Sequence, residues 1–122
     1  MYSGYFSFAS GYEMAQQMIA TVPRPTAVFA TNNFVANGAL EALRGNALDV
    51  PGDMAVVCFD ELPMNIVGDP FLTAIAQPAY ELGQEAARLL IAQLKGGSPG
   101  RRQEVILPTE LIVRASSGEA LG

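Results

Sequence analysis

Two polar residues follow short apolar runs in this chain of 122 residues, and both are of types that bind small ligands. Asn32 comes after "AVFAT" and Asp60 comes after "AVVCF". Because ligands bind at the carboxyl ends of the strands in parallel sheets, we expect these two side chains to face one cleft. A carboxylate accepts several hydrogen bonds and an amide both donates and accepts, which suits sugar hydroxyls or the edge of a purine.

Other interpretations of these residues also fit the sequence. Asparagine is a common helix N-cap, so Asn32 or Asn33 is equally well explained as the cap of the helix that follows. Asp60 is consistent with a polar turn before Pro63, after a core strand. A third interpretation takes Asp60 and Glu61 as the acidic end of a nucleotide-hydrolase strand, but the GxxxxGK[ST] loop of that class is missing.

The composition argues against catalysis. The chain has no histidine, which removes the commonest general base and the commonest metal ligand, and no GxGxxG motif for a dinucleotide. Its single cysteine, Cys58, cannot form an internal disulfide and lies in an apolar run typical of a core strand. We therefore expect no enzyme activity, no cofactor and no metal.

The charge and hydropathy of the chain restrict the classes of partner that it can bind. Twelve acidic residues against seven basic ones give a net charge of −5, which repels phosphate backbones, so the chain by itself should not bind DNA. No apolar run approaches the roughly 20 residues that span a bilayer. The N-terminus lacks the basic region of a signal peptide. These features predict a cytoplasmic protein without a membrane partner.

Helical spacing of apolar residues predicts three helices, near residues 10–22, 33–44 and 79–95. A capping box of Ser10 and Glu13 would open the first helix. The apolar stripe of the third is the clearest, and it consists of Leu82, Ala86, Leu89, Leu90 and Leu94. A further helical turn is expected near 64–67.

Continuous apolar runs predict strands near 26–31, 54–59 and 72–76, and a run of this kind is typical of a strand covered on both faces. Two short closing strands are expected in "QEVILP" and "TELIVRAS". Strands that alternate with helices of this length indicate an α/β fold with a parallel sheet.

Three stretches carry a family resemblance: "PTAVFATNNFVANGALEALRGNALDVPGDMAVVCFDELP", "PFLTAIAQPAYELGQEAARLLIAQLKG" and "LPTELIVRAS". From about residue 4 to 117 the chain closely resembles the effector-binding domain of LacI/GalR-type bacterial transcription regulators. The resemblance implies a type I periplasmic-binding-protein-like fold, a three-layer α/β sandwich with a mainly parallel sheet. It also implies a small-molecule effector, of which a sugar is the usual kind.

The resemblance further implies that residues 1–122 form a partial effector-binding domain, the truncated C-terminal lobe. The DNA-binding helix-turn-helix and most of the N-terminal lobe are expected to be absent from the chain. In the family the effector controls DNA binding allosterically, DNA contacts that separate N-terminal domain, and the protein is a homodimer or tetramer. The alternative is a sugar solute-binding protein of an ABC transporter, which shares the fold. The sequence of the stretch "VPGDMAVVCFDELP" favours the regulator.

Carried over by position, Asn32 and Asp60 correspond to the family's ligand-contacting asparagine and aspartate. Phe6 corresponds to the aromatic residue that stacks on the ligand, and Gln77 lies at a crossover near the cleft.

Three features depart from the family pattern: Asn33 replaces the usual carboxylate, Cys58 replaces the usual glycine, and "PFLTA" at 70–74 replaces the usual "PPLTT". In the family the helix after "AIAQP" packs on the other lobe. We therefore expect its stripe to be covered here by a second copy of the chain.

Overall fold

The computed structural model describes residues 5–61, 71–96 and 103–118. They divide into two compact units, residues 1–76 together with 111–122, and residues 77–110. The helical turn expected near 64–67 lies outside the described residues. None of the helices in the described ranges has the length and apolar character that crossing a membrane requires.

The chain alternates helices and short strands, as the periodicity predicts. In order, the elements are α1 (Phe8–Ile19), β1 (Ala27–Ala30), α2 (Asn33–Gly45), β2 (Ala55–Phe59), β3 (Thr73–Ala76), α3 (Ala79–Leu94), β4 (Glu110–Ile112) and a 3-10 turn (Ala115–Ser117). The sheet has the order β1-β2-β3-β4. β2 pairs in parallel with both β1 and β3, which confirms the predicted parallel sheet.

The main core forms where α1 packs on α2 and α2 packs on β2. Along β2, Val56 and Cys58 are buried while their neighbours are only half-buried, so one face of the strand points at the helices. Helical spacing places four apolar residues on one side of α2, and all four are buried: Val35, Ala39, Ala42 and Leu43. This packing holds the carboxyl ends of β1 and β2 and the start of α2 in one rigid unit.

Two glycines let α1 and α2 cross at very short range. A Cβ atom built on Gly11 would lie 2.3 Å from the carbonyl oxygen of Val35. One built on Gly38 would lie 2.1 Å from the carbonyl oxygen of Phe8. Any larger residue would push the helices apart, so both glycines are required by the packing.

The start of α1 differs from the prediction. Ser7 is the N-cap, with extended backbone and a side-chain oxygen that accepts a hydrogen bond from the Ser10 N–H at 3.2 Å. Ser10 therefore lies inside the first turn, and the predicted capping box of Ser10 and Glu13 is wrong. The helix also ends at Ile19, before the predicted end near residue 22, so Val22 lies beyond it and is exposed.

Two strand predictions also need correction. β1 is not covered on both faces, since Phe29 is 55% exposed, and β2 is fully buried only on the face that carries Val56 and Cys58. Of the two closing strands, only Glu110–Ile112 forms, while "QEVILP" (103–108) is extended chain without ladder pairing. Apolar periodicity identifies a segment able to form a strand, but a strand also needs a neighbour to pair with.

In the second unit, α3 begins after Pro78 without a side-chain cap, and Glu81 lies in its first turn, where the helix dipole favours a negative charge. Gly96, with φ of 90°, follows the C-cap Lys95 and ends the helix. No residue of α3 is buried, and four of the five residues of its apolar stripe are exposed while Leu89 is half-buried.

Candidate functional site

The carboxyl edge of the sheet brings Asn32 and Asp60 to equivalent places. Ala30 of β1 and Cys58 of β2 are Cα partners in the parallel ladder. Asn32 and Asp60 each follow one of these partners by two residues, so both leave the sheet at the same edge. This is the edge at which parallel sheets bind ligands.

Asn32 is the N-cap of α2. Its backbone is extended, with φ of −156° and ψ of 170°, and its Oδ1 accepts a hydrogen bond from the Val35 N–H at 2.8 Å. The capping interpretation is therefore confirmed. The cap uses only the amide oxygen, so the Nδ2 donor is the group that can serve a ligand.

Asp60 ends β2 in a left-handed conformation with φ of 70°. Its N–H donates to the carbonyl oxygen of Ile75 at 3.0 Å, and its own carbonyl oxygen accepts from the Cys58 thiol at 3.5 Å. Aspartate is among the few non-glycine residues that tolerate this conformation, which otherwise costs about 1–3 kcal/mol. Non-glycine residues held in such strained conformations cluster at functional sites.

Burial sets the state of the neighbouring thiol. Cys58 is almost completely buried, and this desolvation raises its pKa to about 11. The nearby Arg114 guanidinium opposes the rise, whereas the carboxylates of Asp60 and Glu61 add to it. Cys58 is therefore a neutral thiol at physiological pH and acts as a hydrogen-bond donor beneath the Asp60 turn.

An ion pair holds the residue after Asp60. The guanidinium of Arg114 pairs with the Glu61 carboxylate through Nη2 and donates through Nη1 to the carbonyl oxygen of Leu72 at 2.8 Å. The two side chains are only 15% and 23% exposed. Sequence analysis did not identify Arg114, because no local pattern links it to a residue so far away in the chain.

A network of hydroxyl groups anchors the same C-terminal segment. Ser116 Oγ accepts from the Thr73 N–H at 2.7 Å and donates to the carbonyl oxygen of Val56 at 2.6 Å. Thr73 Oγ1 accepts from the Arg114 N–H at 2.8 Å and lies 2.6 Å from Ser117 Oγ. Thr73 and Ser116 are buried, and these partners satisfy them. The segment from Arg114 to Ser117 is thereby fixed to β2 and β3.

Phe6 lies beside an apolar cleft rather than in the core. Its side chain is 74% exposed, which leaves the ring accessible for stacking. The cleft has a volume of about 540 Å³ and is lined mainly by α1 and β1. Thr31, which directly precedes Asn32, also lines it, so the cleft reaches the carboxyl end of β1.

The remaining predicted residue, Gln77, is exposed and begins the second unit, immediately after Ala76 of β3. Another residue stands out at the start of α2: within the described part of the chain, Asn33 Oδ1 is a buried acceptor with no hydrogen-bond partner. Asn33 occupies the position where the resemblance places a carboxylate. Among the described residues there is no cluster of side chains able to hold a metal ion.

Comparison with known proteins identifies the family. The family described as "Periplasmic binding protein-like domain" matches residues 2–117. The HTH-type transcriptional repressor CytR of Escherichia coli K12 is 39% identical over 114 residues, covering 93% of this chain and 33% of CytR. The lactose operon repressor of Rhizobium radiobacter is 36% identical over 108 residues, covering 88% of this chain and 94% of that protein. The chain thus spans about a third of the length of CytR.

Solved structures agree. The transcriptional regulator CelR in complex with cellobiose superposes with a TM-score of 0.83 at 32% identity, covering 93% of this chain and 35% of CelR. The lac repressor dimer bound to operator gives a TM-score of 0.78 at 30% identity, covering 93% of this chain and 39% of that one. On this evidence the chain belongs to the periplasmic-binding-protein-like domain family, among the LacI/GalR-type transcription regulators.

Proposed function

We propose that this chain is the effector-sensing part of a LacI/GalR-type regulator and binds a sugar at the carboxyl edge of its sheet. The observation that carries the proposal is the equivalent placement of Asn32 and Asp60 beyond two adjacent parallel strands. The bound cellobiose in the CelR complex supports a sugar as the ligand class.

Each predicted residue has a role that its chemistry suits. The Asp60 carboxylate accepts hydrogen bonds from sugar hydroxyls, and a charged acceptor makes the stronger kind of hydrogen bond. Asn32 donates through Nδ2 while its Oδ1 caps α2. The accessible ring of Phe6 packs against the apolar face of the sugar. Gln77, the first residue of the second unit, remains a prediction of the family resemblance.

In the full-length protein, effector binding would change DNA binding through a two-state change of the whole regulator. The net charge of −5 supports a division of labour in which DNA is contacted by a separate domain. The solute-binding alternative is not favoured, because the curated relatives are DNA-binding regulators. The upstream gene sequence distinguishes the two, since a helix-turn-helix supports the regulator and a signal peptide the transporter protein.

Self-association belongs to the same proposal. The apolar stripe of α3 is accessible along its length, and Leu94 is 78% exposed. Leaving several leucine side chains in water forfeits roughly 1.5–3 kcal/mol each. A second copy of the chain covering this stripe would recover much of that free energy.

An NMR titration of the 15N-labelled chain with cellobiose and lactose tests the effector site. We expect one of the sugars to shift the amide signals of Asn32 and Asp60 in a saturable way. Glu41 on α2 is exposed and serves as the site of a matched control, so Glu41→Gln should leave the titration unchanged. Shifts spread over the surface, or no shift at tens of millimolar sugar, would contradict the proposed site.

A further inference from the structure

We propose that Arg114 is a positioning residue for the effector site, because its guanidinium fixes the turn that carries Asp60. This inference rests on the proposed function. Arg114 is not expected to touch the sugar, and it acts through Glu61, the residue next to Asp60 in the chain.

The contacts show how the turn is held. Asp60 departs from β2 in a left-handed conformation that only a few residue types tolerate. Its backbone is tied on one side to Ile75 of β3 and on the other to the Cys58 thiol. The next residue, Glu61, is held through its carboxylate by Arg114.

Besides Glu61, Arg114 contacts two other residues, which hold it in place. Its Nη1 donates to the Leu72 carbonyl oxygen, and its backbone N–H donates to Thr73 Oγ1. Its Nη2 is left for Glu61. The planar guanidinium thus connects the residue after Asp60 to the entry of β3, a geometry that the single ammonium group of lysine cannot reproduce.

The burial of both side chains increases the effect of breaking the Arg114–Glu61 ion pair. Both side chains are mostly shielded from water, so solvent and salt screen the pair less than a surface ion pair. Removing one partner leaves the other charge shielded and unpaired. The free carboxylate of Glu61 would move toward water and carry the adjoining Asp60 with it.

The test measures the turn and the binding site separately. In Arg114→Gln and in Glu61→Gln, amide hydrogen exchange at Asp60 should become about tenfold faster relative to amides elsewhere in β2. The affinity for the sugar that binds the parent chain should fall by about tenfold. The double variant should be no worse than either single variant, because both remove the same contact.

Ser117→Ala is the matched control. It removes the contact of Ser117 Oγ with Thr73 Oγ1 and its hydrogen bond to the Arg114 carbonyl oxygen at 3.3 Å, but leaves the ion pair of the Arg114 guanidinium with Glu61 in place. It should lower the melting temperature without changing relative exchange at Asp60 or sugar affinity. If Arg114→Gln fails to fold, Arg114→Lys replaces it in the exchange experiment, because lysine keeps the positive charge. An intermediate exchange rate at Asp60 is then expected.

Unchanged amide exchange at Asp60 in the Arg114 variants would overturn the proposal, whether or not their sugar affinity changes. So would an equal effect in Ser117→Ala, since Arg114 would then only stabilise the fold. Faster exchange with unaltered sugar affinity would also overturn it. If the parent chain binds no sugar, the proposed function fails, while the exchange data still decide whether Arg114 holds the turn.

Discussion

Asn32 and Asp60 stand side by side at the end of two neighbouring parallel strands, each two residues beyond the paired Ala30 and Cys58. One residue contributes an amide whose oxygen is already used in capping α2, and the other contributes a carboxylate on a left-handed turn. The helix cap therefore holds the donor at this edge of the sheet, and the left-handed turn holds the charged acceptor. This difference allows their contributions to be separated by substitution.

Asp60→Asn should weaken sugar binding and keep the left-handed backbone at this position. Asparagine tolerates the left-handed backbone at this position, so the substitution removes the charge without adding strain. Losing a hydrogen bond to a charged group costs about 1.5–3 kcal/mol, or roughly 10- to 150-fold in affinity. The NMR titration measures the affinity and thermal unfolding measures the stability. Equal affinity in Asp60→Asn and the parent would remove Asp60 from the site.

Substitutions of Asn32 should separate capping from binding. Asn32→Asp keeps an oxygen for the Val35 N–H and loses the Nδ2 donor, so stability should persist while sugar binding weakens. Asn32→Ala loses both and should also destabilise the protein by about 1 kcal/mol. Urea unfolding and the sugar titration report the two effects. If Asn32→Asp binds sugar as the parent does, Asn32 is only a helix cap.

Gly38→Ala should strongly destabilise the first unit, since the added Cβ would lie 2.1 Å from the Phe8 carbonyl oxygen and 2.7 Å from the Tyr12 nitrogen. Overpacking of this kind costs about 1–3 kcal/mol. Gly83→Ala is the control: Gly83 lies in α3 with no neighbouring atom within 4 Å, so alanine there should favour the helix by about 0.5–1 kcal/mol. Thermal unfolding of both variants measures the contrast. An unchanged melting temperature for Gly38→Ala would contradict the close helix crossing.

Stability should fall as pH rises from about 9 to about 11. Burial raises the pKa of the Cys58 thiol from 9.0 to about 11, so in this range the unfolded chain loses the thiol proton and the folded chain retains it. The folded state then binds more protons, and alkali favours unfolding. Urea unfolding at several pH values should show this loss, and Cys58→Ala should remove it. A pH dependence that is identical in Cys58→Ala and the parent would assign it to other groups.

The chain should self-associate through α3. Light scattering at micromolar concentration should give a mass above 12.9 kDa, and Leu90→Lys should reduce association by placing a charge in the apolar stripe. Gln84→Lys is the control, because at about 100° per residue the exposed Gln84 lies on the side of the helix away from the stripe. A folded monomer with α3 intact, or equal loss of association in both variants, would contradict this prediction.

Local sequence was sufficient wherever a segment's own pattern determines its structure. The stripe of α2 ending at Leu43, the existence of β2 and the polar residues at the ends of β1 and β2 could all be predicted, because helix spacing and apolar runs are encoded within a single segment. The interpretation of Asn32 stayed open, since asparagine suits both a helix cap and a ligand contact. Its geometry makes the two compatible.

Only the tertiary structure determined how segments meet. Phe29 on β1 is exposed, although the apolar run of this strand predicts coverage on both faces. Ser7 rather than Ser10 caps α1, and the crossing of α1 and α2 is what requires Gly38. The ion pair between Arg114 and Glu61 joins residues from distant parts of the chain. Periodicity within one segment carries no information about which other segment will supply its neighbour, so these contacts become visible only once the chain is folded.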